Sequence, residues 1–298
     1  MIENTGLLLE GGGMRSAYTA GVLDLFLDKC IEFPVVATAS SGALIGSSYI
    51  TKQRTRNYKI LEEVTNHKDA VSIKNWIRNK EIFGMDYIFD KIPREIVPLD
   101  LVAFLNSPTK FIIGTTNIHT GDPVYFDKYQ SQEELFTITR ASCSLPVLAP
   151  SITYNNMELM DGGVSDPIPI RPLVKQGMKK HIVVLTRNRG YIKKATKLNW
   201  FFKRIFKDKP ELIKILRDRH QIYNDTMKQI YEMEKTNEVF IIQPEQPLTA
   251  TRFDNNKEKL KNLYLQGYTE AESKYSQLEL FLEAKDNIKP FVSGNVPS

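Results

Sequence analysis

An α/β fold on a mainly parallel sheet is predicted by three features of the sequence. Two strand–turn–helix units follow one another at the N-terminus, later apolar runs alternate with amphipathic segments, and no linker-like or repetitive tract divides the chain. The order β-turn-α-β-turn-α requires parallel strands joined by right-handed crossovers.

Gly6-Leu7-Leu8-Leu9 is a short apolar run ending at glycines, and it reads as a buried strand. Residues 14–27 follow as a helix, with Ala17, Ala20, Gly21 and Leu25 at helical spacing. Phe33-Pro34-Val35-Val36-Ala37 is the second strand, and residues 41–49 form a helix of small side chains able to lie close to a sheet. Further strands are predicted at 110–115, 181–185 and 238–242, with a hairpin at 152–160 turning on Asn155-Asn156. Pro172 opens a short helix that ends near Gly177, and Pro210 opens a long one. Residues 256–284 are expected to form a second long helix, broken or eased at Gly267. A single domain is expected over residues 1–285, with its motifs within 5–190, a C-terminal strand and long helices in 191–285, and a loose tail at 286–298.

The net charge of +5 suits an anionic surface but is also ordinary for a soluble protein. Two cysteines, Cys30 and Cys143, exclude a disulfide framework and fit a reducing compartment. No basic and apolar leader and no apolar run of about 20 residues is present, so the expectation is a soluble or peripheral protein, cytoplasmic or at the inner membrane surface. No metal cluster is read from the sequence, and neither a cofactor nor nucleic acid is expected.

Three turns carry the chemistry. Ser40 lies between an apolar strand and a helix whose N-terminus favours developing negative charge, and Gly42 permits close packing two residues later. Taken alone, the segment reads more readily as a serine N-cap than as a nucleophile. Thr38 stands where the G-x-S-x-G elbow has its first glycine. Gly11-Gly12-Gly13 can converge backbone N–H groups on an anion, either an oxyanion or a phosphate. Ser16 replaces the last glycine of a dinucleotide fingerprint, the second strand ends without a ribose-binding acid, and no P-loop lysine follows, so the nucleotide reading is the weaker alternative. Asp161, before Gly162-Gly163, supplies a carboxylate in a tight turn, which by itself is a common Asx-turn. Asp166 competes with it and is read as a turn or helix-cap residue. None of His67, His119, His181 and His220 sits in a distinctive motif, with His119 held in reserve. A Ser–Asp dyad is chemically sufficient if a dry site and oxyanion donors worth about 3 kcal/mol each offset the weak basicity of a carboxylate.

In this order the motifs resemble the patatin-like phospholipase family, particularly its bacterial members. Gly11-Gly12-Gly13-Met14-Arg15 is similar to the family's glycine-rich oxyanion segment, with Tyr18-Thr19-Ala20-Gly21-Val22-Leu23-Asp24 after it. Ser40 aligns with the nucleophile, Ser41-Gly42-Ala43-Leu44 with the residues that follow, and Ala141-Ser142-Cys143-Ser144-Leu145-Pro146 with a helix end. Asp161-Gly162-Gly163 aligns with the catalytic aspartate motif, extended by Asp166-Pro167-Ile168-Pro169. The resemblance implies a three-layer α/β/α sandwich, hydrolysis of lipid acyl esters (phospholipase A or lysophospholipase type) without metal, Ser40 as nucleophile and Asp161 as base. It also implies oxyanion or binding roles for Gly11, Gly12, Gly13 and Ser41. Arg15 is read as a brace of the glycine loop rather than a phosphate ligand. Because of Thr38, a catalytically weakened lipid- or partner-binding member is the other alternative.

The stretch from Lys193 to Lys209 has seven basic residues and one acid, with Trp200 and three phenylalanines among them. On a helical wheel Phe201, Phe202, Ile205 and Phe206 share one face, and Lys203, Arg204 and Lys207 the other. Such a helix suits a lipid headgroup layer or a lid, and equally a core-packed helix with a solvated basic face.

Overall fold

A computed structural model describes residues 2–68, 70–72, 77 and 80–284; the tail expected over 286–298 lies outside the described residues. Eight strands share one sheet: β1 (Thr5–Leu9), β2 (Val35–Ala39), β3 (Lys110–Asn117), β4 (Pro123–Phe126), β5 (Ile152–Tyr154), β6 (Met157–Asp161), β7 (Lys180–Val184) and β8 (Val239–Ile242). β3, β2, β1, β7 and β8 are neighbours in that order and parallel, while β4, β5 and β6 pair antiparallel.

The helices follow in chain order: α1 (Ala17–Asp28), α2 (Ser41–Ile50), α3 (Arg56–Asn66), α4 (Leu101–Leu105), α5 (Gln132–Cys143), α6 (Ile170–Lys175), α7 (Asn199–Ile205), α8 (Pro210–Lys235), α9 (Lys257–Ser273) and α10 (Tyr275–Glu283). A π-helical segment, Tyr87–Ile96, lies between α3 and α4. Both faces of the sheet are covered, which is why β1 is continuously apolar rather than alternating. Leu7 and Leu9 pack with Val36, Ile113 and Ile182 beneath α1 and α2. Leu8 faces the other way, with Ala37, Ile112 and Val183 beneath α6 and α8. Two core layers on opposite faces of one sheet make the three-layer α/β/α sandwich.

The pairing around β3 positions the site. Ile113 and Gly114 pair with both β2 and β4, and Thr115 and Thr116 with both β4 and β6. A strand has two edges, so β4 occupies one, and β2 and β6 share the other end to end. β2 stops at Ala39 opposite Gly114, and β6 arrives from the opposite direction with Asp161 opposite Thr115. The residue after β2 and the last residue of β6 therefore meet at one gap in the sheet.

Several local expectations change. The first helix begins with a 3-10 turn, Gly13–Ser16, before α1. Gly267 does not break the C-terminal helix: it lies inside α9, and the break falls at Lys274 between α9 and α10. At Gly267 a Cβ would stand 2.0 Å from the Tyr18 carbonyl oxygen, and at Gly21 one would stand 1.9 Å from that of Tyr264. Each glycine thus admits the partner backbone where α1 and α9 cross. The expected hairpin holds, with Asn155 and Asn156 both at positive φ (48° and 59°), as a tight two-residue turn requires. Pro172 sits in the third position of α6 rather than opening it. The amphipathic segment at 193–209 forms only the seven-residue α7, with Phe202 and Phe206 packed inward against Ile118, Met160 and Leu212.

Candidate active site

Ser40 joins β2 to α2 with φ 58° and ψ −141°, a left-handed conformation that a non-glycine residue adopts only when its surroundings impose it. The serine is therefore an elbow, and its side chain does not cap α2. Its N–H donates to Ser142 Oγ (2.8 Å), which in turn donates to the Gly114 carbonyl (2.7 Å). On the other side, Gly11 has no Cβ to strike Ser40; one built there would lie 2.6 Å from Ser40 Cβ.

Ser40 Oγ donates to Asp161 Oδ2 at 2.7 Å. The other carboxylate oxygen accepts from the Gly163 N–H at 2.8 Å, so the turn that follows β6 fixes the carboxylate plane. The main chain of Asp161 is held on both sides: its N–H donates to Ser144 O (2.8 Å), and its carbonyl accepts from Thr116 Oγ1 (2.8 Å). The end of α5 thus positions both members of the pair, Ser142 through Ser40 and Ser144 through Asp161. Gly162 is needed here because a Cβ would lie 2.1 Å from the Gly114 carbonyl oxygen.

Gly11, Gly12 and Gly13 pass beside the elbow. The amides of Gly12 and Gly13 both donate to Ser41 Oγ at 2.9 Å. With two N–H groups accepted, the Ser41 hydroxyl donates onward to Ser16 Oγ at 2.7 Å. Ser16 is thereby part of the loop's support. Gly13 is at φ 58° and its amide plane abuts Arg252, whose carbonyl accepts from the Met14 N–H at 3.0 Å. Arg15 does not brace the loop as expected: it is 5% exposed, and its Nε is buried without a partner. Burial, followed by the neighbouring Arg187 and Arg252, lowers its pKa to about 10.

Thr38 does not crowd the elbow. Its Oγ1 donates to the Leu9 carbonyl at 3.1 Å, in space kept open by Gly42, where a Cβ would lie 2.1 Å from Thr38 Oγ1. Asp166 accepts a hydrogen bond from the Tyr125 hydroxyl and one from the Ile168 backbone, a turn contact and not a helix cap. Its pKa is raised, chiefly by burial.

Two cavities meet at Ser40. One is apolar and lined by Met14, Leu44, Ile60, Val64, Ile88 and Phe89. The other is a polar cleft containing Asp161, Arg15, Arg187, Lys193, Arg219 and Arg252. Ser40 and Leu145 belong to the walls of both. None of the four histidines lines either cavity. His119 Nε2 instead contacts Glu158 (2.9 Å), His67 stacks on Tyr87, and His220 Nδ1 contacts the Arg217 carbonyl at 3.0 Å. His181 is buried in β7, where desolvation lowers its pKa to about 4. Buried Cys143, beside Asp161 in the apolar wall, has a thiol pKa pushed well up by burial. Among the described residues, no group of acids, histidines and cysteines could hold a metal ion, and no helix is long and apolar enough to cross a membrane.

Residues 7–174 match the family model described as patatin-like phospholipase, more than half of the chain. The chain belongs to the patatin-like phospholipase family. Residues 209–283 match a second model, a domain of unknown function designated DUF6363. Among curated family relatives, the uncharacterized protein YjjU of Escherichia coli is 27% identical over 184 residues, 60% of this chain and 51% of its own. Lysophospholipase NTE1 of Meyerozyma guilliermondii is 30% identical over 194 residues, 61% of this chain. The chain thus spans about half the length of YjjU (51%) and a small part (12%) of the yeast lysophospholipase. Among solved structures, VipD of Legionella pneumophila aligns with a TM-score of 0.46 at 12% identity, covering 92% of this chain and 67% of its own.

The patatin-like match ends before Arg187, Lys193, Arg219 and Arg252, which the sequence did not flag as site residues. Only Lys193 stood out there, as the start of a basic stretch. The other three belong to no motif and are brought to Ser40 by the chain's path, which no local pattern encodes.

Proposed function

We propose that the protein is a serine acyl hydrolase acting on lipid acyl esters. The observation that carries this reading is the 2.7 Å contact between Ser40 Oγ and Asp161 Oδ2 at the junction of an apolar cavity and a polar cleft. The acyl chain enters the apolar cavity, which places its carbonyl carbon against Ser40 Oγ. As Oγ attacks, its proton passes to Asp161 Oδ2, and the carbonyl oxygen becomes an oxyanion. The Ser41 N–H at the start of α2 and the glycine-loop amides receive that charge, with the helix N-terminus adding a favourable field. In the resting geometry the Gly12 and Gly13 N–H groups donate to the Ser41 hydroxyl, so they reach the oxyanion by exchanging that bond for it. Asp161 then returns the proton to the leaving alcohol, and water, activated by the same carboxylate, releases the fatty acid.

The family membership supports a lipid ester as substrate, and lysophospholipase activity, for which the yeast relative is named, fits one acyl chain in one apolar cavity. Lys193 lines the cleft, and the stretch it opens, residues 193–209, is proposed to rest on a lipid surface, because Leu198, Trp200 and the adjoining Ile192 are exposed among lysines.

The test is intact mass after fluorophosphonate treatment, with hydrolysis of a short-chain nitrophenyl ester in parallel. Wild type is expected to gain one adduct and Ser40→Ala none, while Asp161→Asn should label and turn over slower by on the order of 10³-fold or more. Full esterase activity in Ser40→Ala would overturn the mechanism.

A further inference from the structure

The polar cleft beside Ser40 gathers five cationic side chains from separate parts of the fold. Arg15 comes from the turn after the glycine loop, Arg187 and Lys193 from the segment after β7, Arg219 from α8, and Arg252 from the loop before α9. Two carboxylates face them, and both are already engaged. Glu10 accepts from the Thr186 N–H (2.6 Å) and from the Tyr223 hydroxyl, and Asp161 is held by Ser40 and Gly163. Among the described residues, none of the five cations has a carboxylate within ion-pairing distance.

Four of them are nevertheless fixed in place. The Arg187 guanidinium lies 4.4 Å from the Tyr191 ring centre, and the Lys193 ammonium 4.8 Å from that of Tyr223. The Lys193 backbone is clamped to Asn224 of α8 by two hydrogen bonds, 2.9 and 3.0 Å long. Arg219 Nε donates to the Gly163 carbonyl, and Arg252 packs against the bare Cα of Gly13. Burial, and after it repulsion from neighbouring arginines, brings Lys193 down to about 7 and Arg219 to about 10. Held together unpaired, these groups repel one another, and a multiply charged anion among them relieves that repulsion.

We infer that the cleft is a subsite for a phosphate monoester borne by the acyl substrate, with two of its five cations, Arg219 and Arg252, supplied from the C-terminal region. A phosphate monoester brings up to two negative charges and three oxygens, which match several arginine forks. A phosphocholine group carries its own ammonium into the same cations and is disfavoured. The inference rests on Ser40 being the acylated residue, since that puts the headgroup of a bound ester in this cleft and its acyl chain in the apolar cavity.

Binding separates this inference from the hydrolytic reading, because it needs no turnover. The full chain carrying Ser40→Ala is titrated calorimetrically with dodecyl phosphate, dodecylphosphocholine and inorganic phosphate, all below micelle-forming concentrations. Dodecyl phosphate should bind about tenfold or more tightly than dodecylphosphocholine. Adding Arg187→Gln and Arg252→Gln should remove most of that preference, with the circular dichroism spectrum retained. If the double variant melts early, Arg187→Gln alone, in a partly exposed loop, should still narrow it. Equal affinity for the two amphiphiles, or a preference unchanged in the variants, would overturn the subsite. Inorganic phosphate binding as tightly as dodecyl phosphate would overturn the headgroup assignment in favour of free phosphate. Loss of fluorophosphonate labelling at Ser40 in the separate experiment would leave these affinities as they are.

Discussion

At the residue scale, the elbow depends on a pair that local sequence presents as unrelated. Thr38 looked like an intrusion where a glycine belongs, yet its hydroxyl fills the space that Gly42 leaves and bonds the Leu9 carbonyl. Gly42→Ala would put a Cβ 2.1 Å from Thr38 Oγ1 and 3.0 Å from Leu9 O. The expected loss is about 2–3 kcal/mol in urea unfolding. Thr38→Ala alone should cost about 1 kcal/mol for the lost hydrogen bond. In the double variant the first clash is gone, so the two losses should fall short of additivity by about 1 kcal/mol or more. Strict additivity would mean that the two residues do not share this space. Ser40 and Asp161 were legible because each sits in a short motif at a strand end. Their supports were not: Ser142 reaches Ser40 across 102 positions, and Thr116 reaches Asp161 across 45. No periodicity encodes such contacts.

At the scale of elements, periodicity located β1, β2, β3, β7 and β8, because strands covered on both faces read as unbroken apolar runs. It missed β4, which is only partly buried throughout and carries no such signal. Gly267 was misread for a physical reason. A glycine in a helix suggests a weak point, with a penalty of about 1 kcal/mol relative to alanine, whereas here it admits the α1 backbone. The two effects oppose each other in Gly267→Ala. The helix gains about 1 kcal/mol of propensity, but the new Cβ stands 2.0 Å from the Tyr18 carbonyl oxygen, and backbone cannot swing aside as a side chain can. Overlap should win, with a net loss of about 2–4 kcal/mol in urea unfolding. A stabilised Gly267→Ala protein would contradict so close a crossing. Because α9 lies in the C-terminal matched region and α1 in the N-terminal one, this crossing also joins the two.

At the scale of the molecule, charge and apolar surface coincide at one mouth. Tyr191 and Lys193 line the cationic cleft, and in the chain around them Ile192 is 71% and Trp200 66% exposed, while Lys194 and Lys197 lie exposed between them. The sequence suggested a long amphipathic helix here, but α7 turns Phe202 and Phe206 inward, leaving the preceding loop and Trp200 to meet a surface. An exposed tryptophan flanked by lysines gains by entering the headgroup layer of an anionic membrane, where each nearby lysine contributes about 1 kcal/mol. The chain has two tryptophans, so Trp76→Phe leaves Trp200 as the sole reporter. In that background, vesicles of phosphatidylglycerol and phosphatidylcholine should shift the emission of Trp200 to the blue, and pure phosphatidylcholine should do so weakly. Raising salt from 0.1 to 1 M shortens the screening length from about 10 to about 3 Å, and should reverse most of the shift. Lys194→Gln with Lys197→Gln should weaken binding by about tenfold or more, since two such contacts are removed. An emission spectrum indifferent to anionic vesicles would assign the exposed face to some other contact and leave Ser40 to meet its substrate without a membrane.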